Sequence, residues 1–529
     1  MAANEKMEQL LEALQKAGGL VPGAAAKVSA ELGVPEAEVY GAGSFYHLLG
    51  DHDSKLRVCT GLSCAMRGGR KLLALAQDAG MPVAECSCLA ACDRAPAVLR
   101  DRSVLVELTP DDITSAGGDW QKVQGAELAD DWHGTIGPEN SELPMNLGGD
   151  KNFSGEAYAK AVAMGADEVI AALDSSGLQG RGGAGFPAAI KWRGVRAQEP
   201  SPHYVVLNAD EGEPGTFKDR ELMARRPDLV LEGLAIAAHC LGAKDVYLYL
   251  RGEFAGPWIA LEKAIKNYSE NKVLGDVSFH LHSGHGAYIC GEETALLEAL
   301  EGKRGMPRLK PPFPHENGLW GKPTLIQNVE TIACVPAIVM RGGDWFKALG
   351  ATEPGTKLYS ISGDVQAPGT YELPLGASLD ELVEAAGGYV GELLAFSPGG
   401  ASSGFLPATE RGRALDFSAL AKVGSMLGSA GVVVLNTEAD IRESVREQLV
   451  FFENESCGQC APCRIGTRYL REALDRDLQG SPSKKSLGEV AEVAWEMNEG
   501  SICGLGQAAA LPLTSALLHF PKAFGGDKQ

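Results

Sequence analysis

Eight of the chain's twelve cysteines fall into two widely separated groups, and these groups restrict the fold more than any other feature. Cys59 and Cys64 have four residues between them, and Cys88 and Cys92 have three. Two such pairs are what a [2Fe-2S] rhombus requires, because two thiolates must grip each iron from loops that the fold brings together. Buried structural cysteines are the competing reading. Towards the other end, Cys457, Cys460 and Cys463 form a C-x2-C-x2-C run with Cys503 as a distant fourth. Three close thiolates and one remote one suit the corners of a [4Fe-4S] cube; the alternative, a four-cysteine zinc site, ordinarily uses two C-x2-C pairs. Cys86 has no partner at ligand spacing and reads as a non-ligand, while Cys240, Cys290 and Cys334 read as small core residues.

A disulfide framework is disfavoured by the start of the chain. Met-Ala-Ala-Asn-Glu-Lys shows neither a basic-then-apolar signal nor an Arg-rich transit pattern, so the expected compartment is the cytoplasm. No apolar run reaches the roughly 18 residues of a membrane span. A net charge of −21 argues against a nucleic-acid partner, which would draw on a basic face.

The length of 529 residues leaves room for three or four domains of about 100–200 residues each. Residues 3–17 and 22–49 read as helices; strand-like runs at 55–60, 97–99 and 104–108 with a helical pattern over 67–79 complete a small α/β unit, 1–110. A polar stretch, 111–150, reads as a linker or extended arm. Strand candidates Tyr204–Asn208 and Asp245–Arg251 alternate with helical patterns in a second domain, 151–345. A strand-rich module, 346–435, carries candidates at 357–363 and 371–373 around a Pro-Gly turn. The remainder, 436–529, is helical, with apolar periodicity over 438–452, 464–475 and 486–498.

Gly180-Arg-Gly-Gly-Ala-Gly-Phe-Pro187 is glycine-rich enough for its backbone to approach a phosphate or a flat ring. Gly180, Gly182 and Gly185 satisfy G-x-G-x-x-G, but the preceding Asp174-Ser-Ser-Gly-Leu is not a strand, as the dinucleotide fingerprint requires, and Lys191 follows as an anion partner. The loop therefore reads as a nucleotide or phosphate loop outside the dinucleotide fingerprint, with a plain glycine-rich turn as the alternative.

These pieces together resemble the flavin-binding subunit of respiratory complex I. The resemblance rests on the Gly180–Pro187 loop with Lys191-Trp192, on Asn208-Ala-Asp-Glu-Gly-Glu-Pro-Gly-Thr-Phe-Lys-Asp-Arg220, and on Gly284-His-Gly-Ala-Tyr-Ile-Cys-Gly-Glu-Glu-Thr-Ala295. It extends to Pro307–Pro314, Gln327-Asn-Val-Glu-Thr331 and the Glu455–Gly466 cluster motif, and covers residues of about 145 to 525. The amino-terminal region resembles the family's companion subunit, a thioredoxin-like [2Fe-2S] protein, through Val39–Tyr46, Cys59–Cys64 and Cys88–Pro96; a trimmed helix or loop is expected between its cysteine pairs. Gln327 and His285 depart from the family's usual residues. The implied fold class is α/β multidomain: a thioredoxin-like [2Fe-2S] domain, a Rossmann-like FMN/NAD domain, a small β-grasp-like domain and a helical [4Fe-4S] domain.

The same resemblance implies that Gly180, Arg181, Gly182 and Lys191 meet FMN, and that Asn208, Asp210 and Glu211 hold its polyol or ring edge. Gly291, Glu292, Glu293, Gln327, Asn328 and Thr331 would complete that pocket. Phe186 and Phe313 are candidates to stack on NAD(H), with Lys310 reaching the dinucleotide and Glu213 the nicotinamide side; an acidic pocket should disfavour NADP. Hydride transfer needs the nicotinamide placed against the flavin and no general acid or base, so no side chain is expected to be catalytic in its own right.

Three functions remain open on the sequence. The first is the diaphorase (beta) subunit of a soluble NAD-dependent formate dehydrogenase, in a hetero-oligomer with a catalytic subunit that bears a molybdenum or tungsten pterin and further iron-sulfur clusters. The second attaches the same module to an NAD-reducing hydrogenase or to complex I. The third is a non-catalytic iron-sulfur scaffold or redox sensor.

Overall fold

The computed structural model describes residues 7, 9–127, 134–199, 202–480 and 487–525. The start of the helix expected over 3–17, residues 128–133 of the expected linker and residue 486 lie outside the described residues. The helix expected over 22–49 is three helices, Ala24–Leu32, Glu36–Gly43 and His47–Gly50. Gly33 ends the first in the left-handed region at φ 65°, and Pro35 starts the second, because its ring cannot continue a preceding helix.

The first sheet has five strands in the order Val83–Cys86, Leu56–Cys59, Ala97–Arg100, Ser103–Val106, Ala126–Glu127. Cys59 and Cys86 are register partners at the ends of parallel strands. That pairing delivers Cys64, on the helix Leu62–Met66, and the Cys88–Cys92 loop to the same end of the sheet. Residues expected in a linker belong to this unit: Ile113 and Val123 share a core with Leu56 and Val58. Further along, Thr135–Ile136 adds a parallel strand to a different sheet, beside Gly369–Pro374. Met145 and Leu147 are buried, so the stretch is a strap laid over packed surface, since its apolar residues find cover there.

The second sheet is wholly parallel, in the order Thr324–Asn328, Tyr204–Ala209, Asp245–Leu250, Ser278–Ser283. Its inner strands are apolar runs, as a sheet covered on both faces demands, and the helix Pro227–Leu241 against it is buried almost all round. The strand order reverses at Tyr204–Ala209, which leaves a crevice at the carboxyl ends of this strand and Thr324–Asn328.

The third sheet is mixed. The hairpin Thr356–Gly363 and Gly369–Pro374 lies beside Gly431–Asn436, which runs parallel to the first of these strands, and Leu393–Ser397 and Leu406–Pro407 follow. With the helix Leu379–Ala385 it forms the β-grasp-like module. At the carboxyl end, the helices Ile441–Glu455, Ala461–Leu478, Val490–Gly500 and Leu511–His519 pack together. Gly466 allows close approach of two of them, since a Cβ there would lie 2.3 Å from Met497 Sδ. Among the described residues no helix is long and apolar enough to cross a membrane.

Candidate active site

The glycine loop connects the helices Ala166–Ser176 and Ala188–Arg196, so it does not follow a strand. Gly180 N–H donates to Phe186 O (2.8 Å) and Ala188 N–H to Leu178 O (2.9 Å), which pinches the loop at its base. Arg181 N–H donates to Thr331 Oγ1 (2.8 Å), and a Cβ on Gly182 would sit 3.0 Å from Asn328 Cβ. The loop is thereby clasped to the carboxyl end of Thr324–Asn328, at the switch point of the parallel sheet. Asn328 caps the helix Val329–Ala333 through Glu330 N–H (3.0 Å) and donates to Asp219 Oδ2 (2.6 Å).

On the neighbouring strand Asn208 is the register partner of Asn328, and its amide donates to Gly291 O (2.7 Å). Asp210 follows directly. Burial lifts its carboxyl to about 8, against the opposing pull of Arg251. Four expected residues pair with one another: Lys191 Nζ meets Glu293 at 2.9 Å, and Lys310 Nζ meets Glu292 at 2.8 Å and Glu293 at 2.9 Å. Burial works against ionisation of Glu293, yet the two lysines override it and hold its carboxyl at about 2. Glu292 also caps the helix Glu293–Leu300 through Thr294 and Ala295 N–H.

Glu213 is tied down by Tyr288 OH and by Ser402 N–H (2.8 Å), which joins the crevice to the β-grasp-like module. Phe186 is 45% exposed, and Phe313, 44% exposed, stacks on His315 with centroids 5.9 Å apart, so each ring keeps area free for a planar partner. Glu211 turns onto the backbone: both its oxygens accept N–H bonds, from Asp219 (2.9 Å) and Arg220 (3.0 Å), so the carboxylate caps the helix Lys218–Arg225.

These residues fit a bound flavin. Arg181 Nε and Nη1 and Gln327 Nε2 are buried donors without a hydrogen-bond partner among the described residues, the condition of groups that a ligand or ordered water completes. Together with the glycine cradle, they offer a phosphate and a polar ring what they need.

The cysteines fit their clusters in two different settings. Cys59, Cys64, Cys88 and Cys92 are all buried. Cys88 and Cys92 sulfurs lie 4.0 Å apart, Ala90 N–H donates to Cys88 Sγ (3.3 Å), and contact with Cys64 and Cys88 pushes the Cys59 thiol well up. Cys457, Cys460 and Cys503 are half-buried and Cys463 is buried. Cys460 directly precedes the helix Ala461–Leu478, whose first turn carries Cys463, and Ser456 Oγ lies 3.2 Å from Cys463 Sγ.

Several residues around the site have a role that the motifs alone do not reveal. Tyr288 holds Glu213 and sends its backbone N–H to Glu455 (3.0 Å), which also accepts from Ser87 Oγ. Lys218, fully buried, bridges Asp219 (2.7 Å) and Glu330 (2.9 Å), and Lys357 of the β-grasp-like module pairs with the same Glu330. The dense run of charges from Asp210 to Glu221 is the signal that the sequence offers; which of them pair is set by the fold.

Residues 173–337 match the Nuo51 FMN-binding domain, 443–526 the NADH-ubiquinone oxidoreductase-F iron-sulfur binding region, 2–117 the thioredoxin-like [2Fe-2S] ferredoxin and 358–405 the SLBB domain. The second of two NADH-quinone oxidoreductase F subunits of Rhizobium meliloti (strain 1021) is 46% identical over 370 residues, covering 68% of this chain and 88% of the relative. The F subunit of the NADH-quinone oxidoreductase of Rickettsia typhi (strain ATCC VR-144 / Wilmington) is 41% identical over 404 residues, covering 72% and 96%. A chain of the NAD+-reducing [NiFe]-hydrogenase in its H2-reduced state superimposes with TM-score 0.88 at 32% identity, covering 98% of this chain and 92% of that one. The complement is FMN, NADH, one [4Fe-4S] and one [2Fe-2S] cluster. The chain belongs to the family of NADH-quinone oxidoreductase F subunits, which are NADH-oxidising flavoproteins, with a thioredoxin-like [2Fe-2S] domain joined to its amino end.

Proposed function

We propose that the chain is the NAD-linked electron-transfer subunit of a soluble formate dehydrogenase, working between NAD(H) and a molybdenum- or tungsten-pterin catalytic subunit. The observation that carries its electron-transfer role is the convergence of the glycine loop, Asn208, Asn328 and Thr331 at the switch point of the parallel sheet, with unpartnered buried donors beside them. Gly180, Arg181, Gly182, Lys191, Asn208, Asp210, Gly291, Glu292, Gln327, Asn328 and Thr331 would hold FMN. Glu293 would complete the same pocket, and Phe186, Glu213, Lys310 and Phe313 would receive NAD(H). The chemistry FMN supplies there is two-electron exchange with the nicotinamide and one-electron exchange with the clusters.

The protein's part is placement. Tyr288 and Ser402 fix Glu213 on the dinucleotide side, where it would disfavour the extra phosphate of NADP, and Lys191 and Lys310 keep Glu293 ionised. The fused [2Fe-2S] domain supports a soluble complex in which one chain carries both ends of the flavin's electron traffic. Mass spectrometry of the natively purified complex tests the partner: a pterin-bearing formate-oxidising subunit is expected, and a nickel-iron subunit or a quinone-reducing assembly overturns the reading. The second reading, the diaphorase subunit of an NAD-reducing hydrogenase, is favoured by the hydrogenase chain's coverage of 98% of this chain, amino-terminal domain included.

A further inference from the structure

Arg251 is the first residue after the strand Asp245–Leu250, and its side chain reaches two loops at once. Nη1 donates to the carbonyl of Glu211 (2.7 Å), in the flavin-side segment, and Nη2 donates to the carbonyl of Cys88 (2.7 Å), a ligand position of the [2Fe-2S] site. Glu253 pairs with it at 3.0 Å, and the two side chains are 9% and 8% exposed. Both border a chamber of about 260 Å³ that also touches Cys86, Cys88, Asp210 and Glu455, so one space adjoins Asp210 of the flavin crevice and the Cys88 ligand position, and reaches Glu455, two residues before Cys457.

Reduction of a [2Fe-2S] centre adds one electron and makes or breaks no bond, so its potential follows the charges and hydrogen bonds around it. In a low-dielectric interior a cation one peptide away from a ligand stabilises the more negative, reduced state, and an anion does the reverse. From this juxtaposition we propose that Arg251, lent by the flavin-binding domain, is a positioning residue that raises the midpoint potential of the [2Fe-2S] centre, and that Glu253 opposes it.

The inference rests on the placement of that centre on Cys59, Cys64, Cys88 and Cys92. It is tested by redox titration of the holoprotein followed by electron paramagnetic resonance. R251Q is expected to shift the [2Fe-2S] midpoint to more negative values and E253Q to more positive ones, with R251K close to wild type and a smaller shift at the [4Fe-4S] centre. An unmoved midpoint in R251Q, or shifts of the same sign in R251Q and E253Q, overturns it, because a scaffolding role predicts no opposition of sign. Should R251Q fail to assemble the centre, E253Q decides: a midpoint that does not rise refutes the proposal. C88S separates the two layers, since an unaltered [2Fe-2S] signal in that variant refutes the ligand placement itself.

Discussion

The two cysteine groups sit in opposite surroundings. The first lies inside the molecule, its Cys88–Cys92 loop held by arginines from the next domain: Arg220 Nη1 donates to Ala90 O (2.6 Å) and pairs with Asp93 (2.8 Å), and Arg251 holds Cys88 O. The second lies at helix ends near the surface, where Ile465 is 63% exposed and Trp495 on the adjoining helix 65%. Burial with fixed charges sets the properties of a centre from within the chain. Partial exposure leaves a centre open to whatever meets it from outside.

Ligand replacement gives the largest effects and separates the two settings. Cys88→Ser is expected to abolish the [2Fe-2S] signal and lower the melting temperature, because the buried loop loses its core. Cys460→Ser should abolish only the [4Fe-4S] signal and leave the melting temperature nearly unchanged; equal thermal losses would break the contrast.

Gly182→Val drives side-chain atoms towards Asn328 and is expected to remove FMN, read as loss of flavin absorbance, while both cluster signals persist. Stoichiometric flavin in that variant would sink the placement of the cradle.

Removing a buried guanidinium should cost more than removing an exposed one. Arg220→Ala leaves Asp93 buried without its partner, at about 3–5 kcal/mol, while Glu221 keeps Arg225. Arg464→Ala, beside the outer group, loses a bond to Gly458 O on the surface, about 1 kcal/mol. Denaturant titration of the two variants reads the difference directly.

The smallest effect is a pH slope. Asp210 borders the chamber beside the inner group, and its folded pKa of about 8 lies above the ordinary value of about 3.9. The native state therefore holds an extra proton between these values, and this group's contribution to stability falls as pH rises through them. Melting temperatures at about pH 6 and about pH 9 should differ less in Asp210→Asn than in wild type; an unchanged slope would show that Asp210 is not the titrating group.

Much of this is legible from residue types and spacing. The strand Tyr204–Ala209 is an apolar run, expected over nearly its full length. Ser278–Ser283 is not: its histidines and serines imitate a loop, yet hydrogen bonding to Asp245–Leu250 makes it the sheet's edge strand. Thr324–Asn328 hides for a similar reason, as its pairing partner lies far back in the chain. Glu211 shows the limit for single residues. Its motif marks it as important, but only the folded chain shows the carboxylate turned onto the backbone of Asp219 and Arg220.

By itself the sequence determined which side chains can ligate iron, which loop can approach a phosphate and where apolar runs must be covered, because spacing and residue chemistry are local properties. The tertiary structure alone decided that Arg251 spans Glu211 and Cys88, that Arg220 grips Ala90, and that one chamber is lined by Cys88, Asp210 and Glu455 together. Most of these contacts join residues far apart in the chain. Their energy depends on burial and geometry, which exist only once the domains have packed.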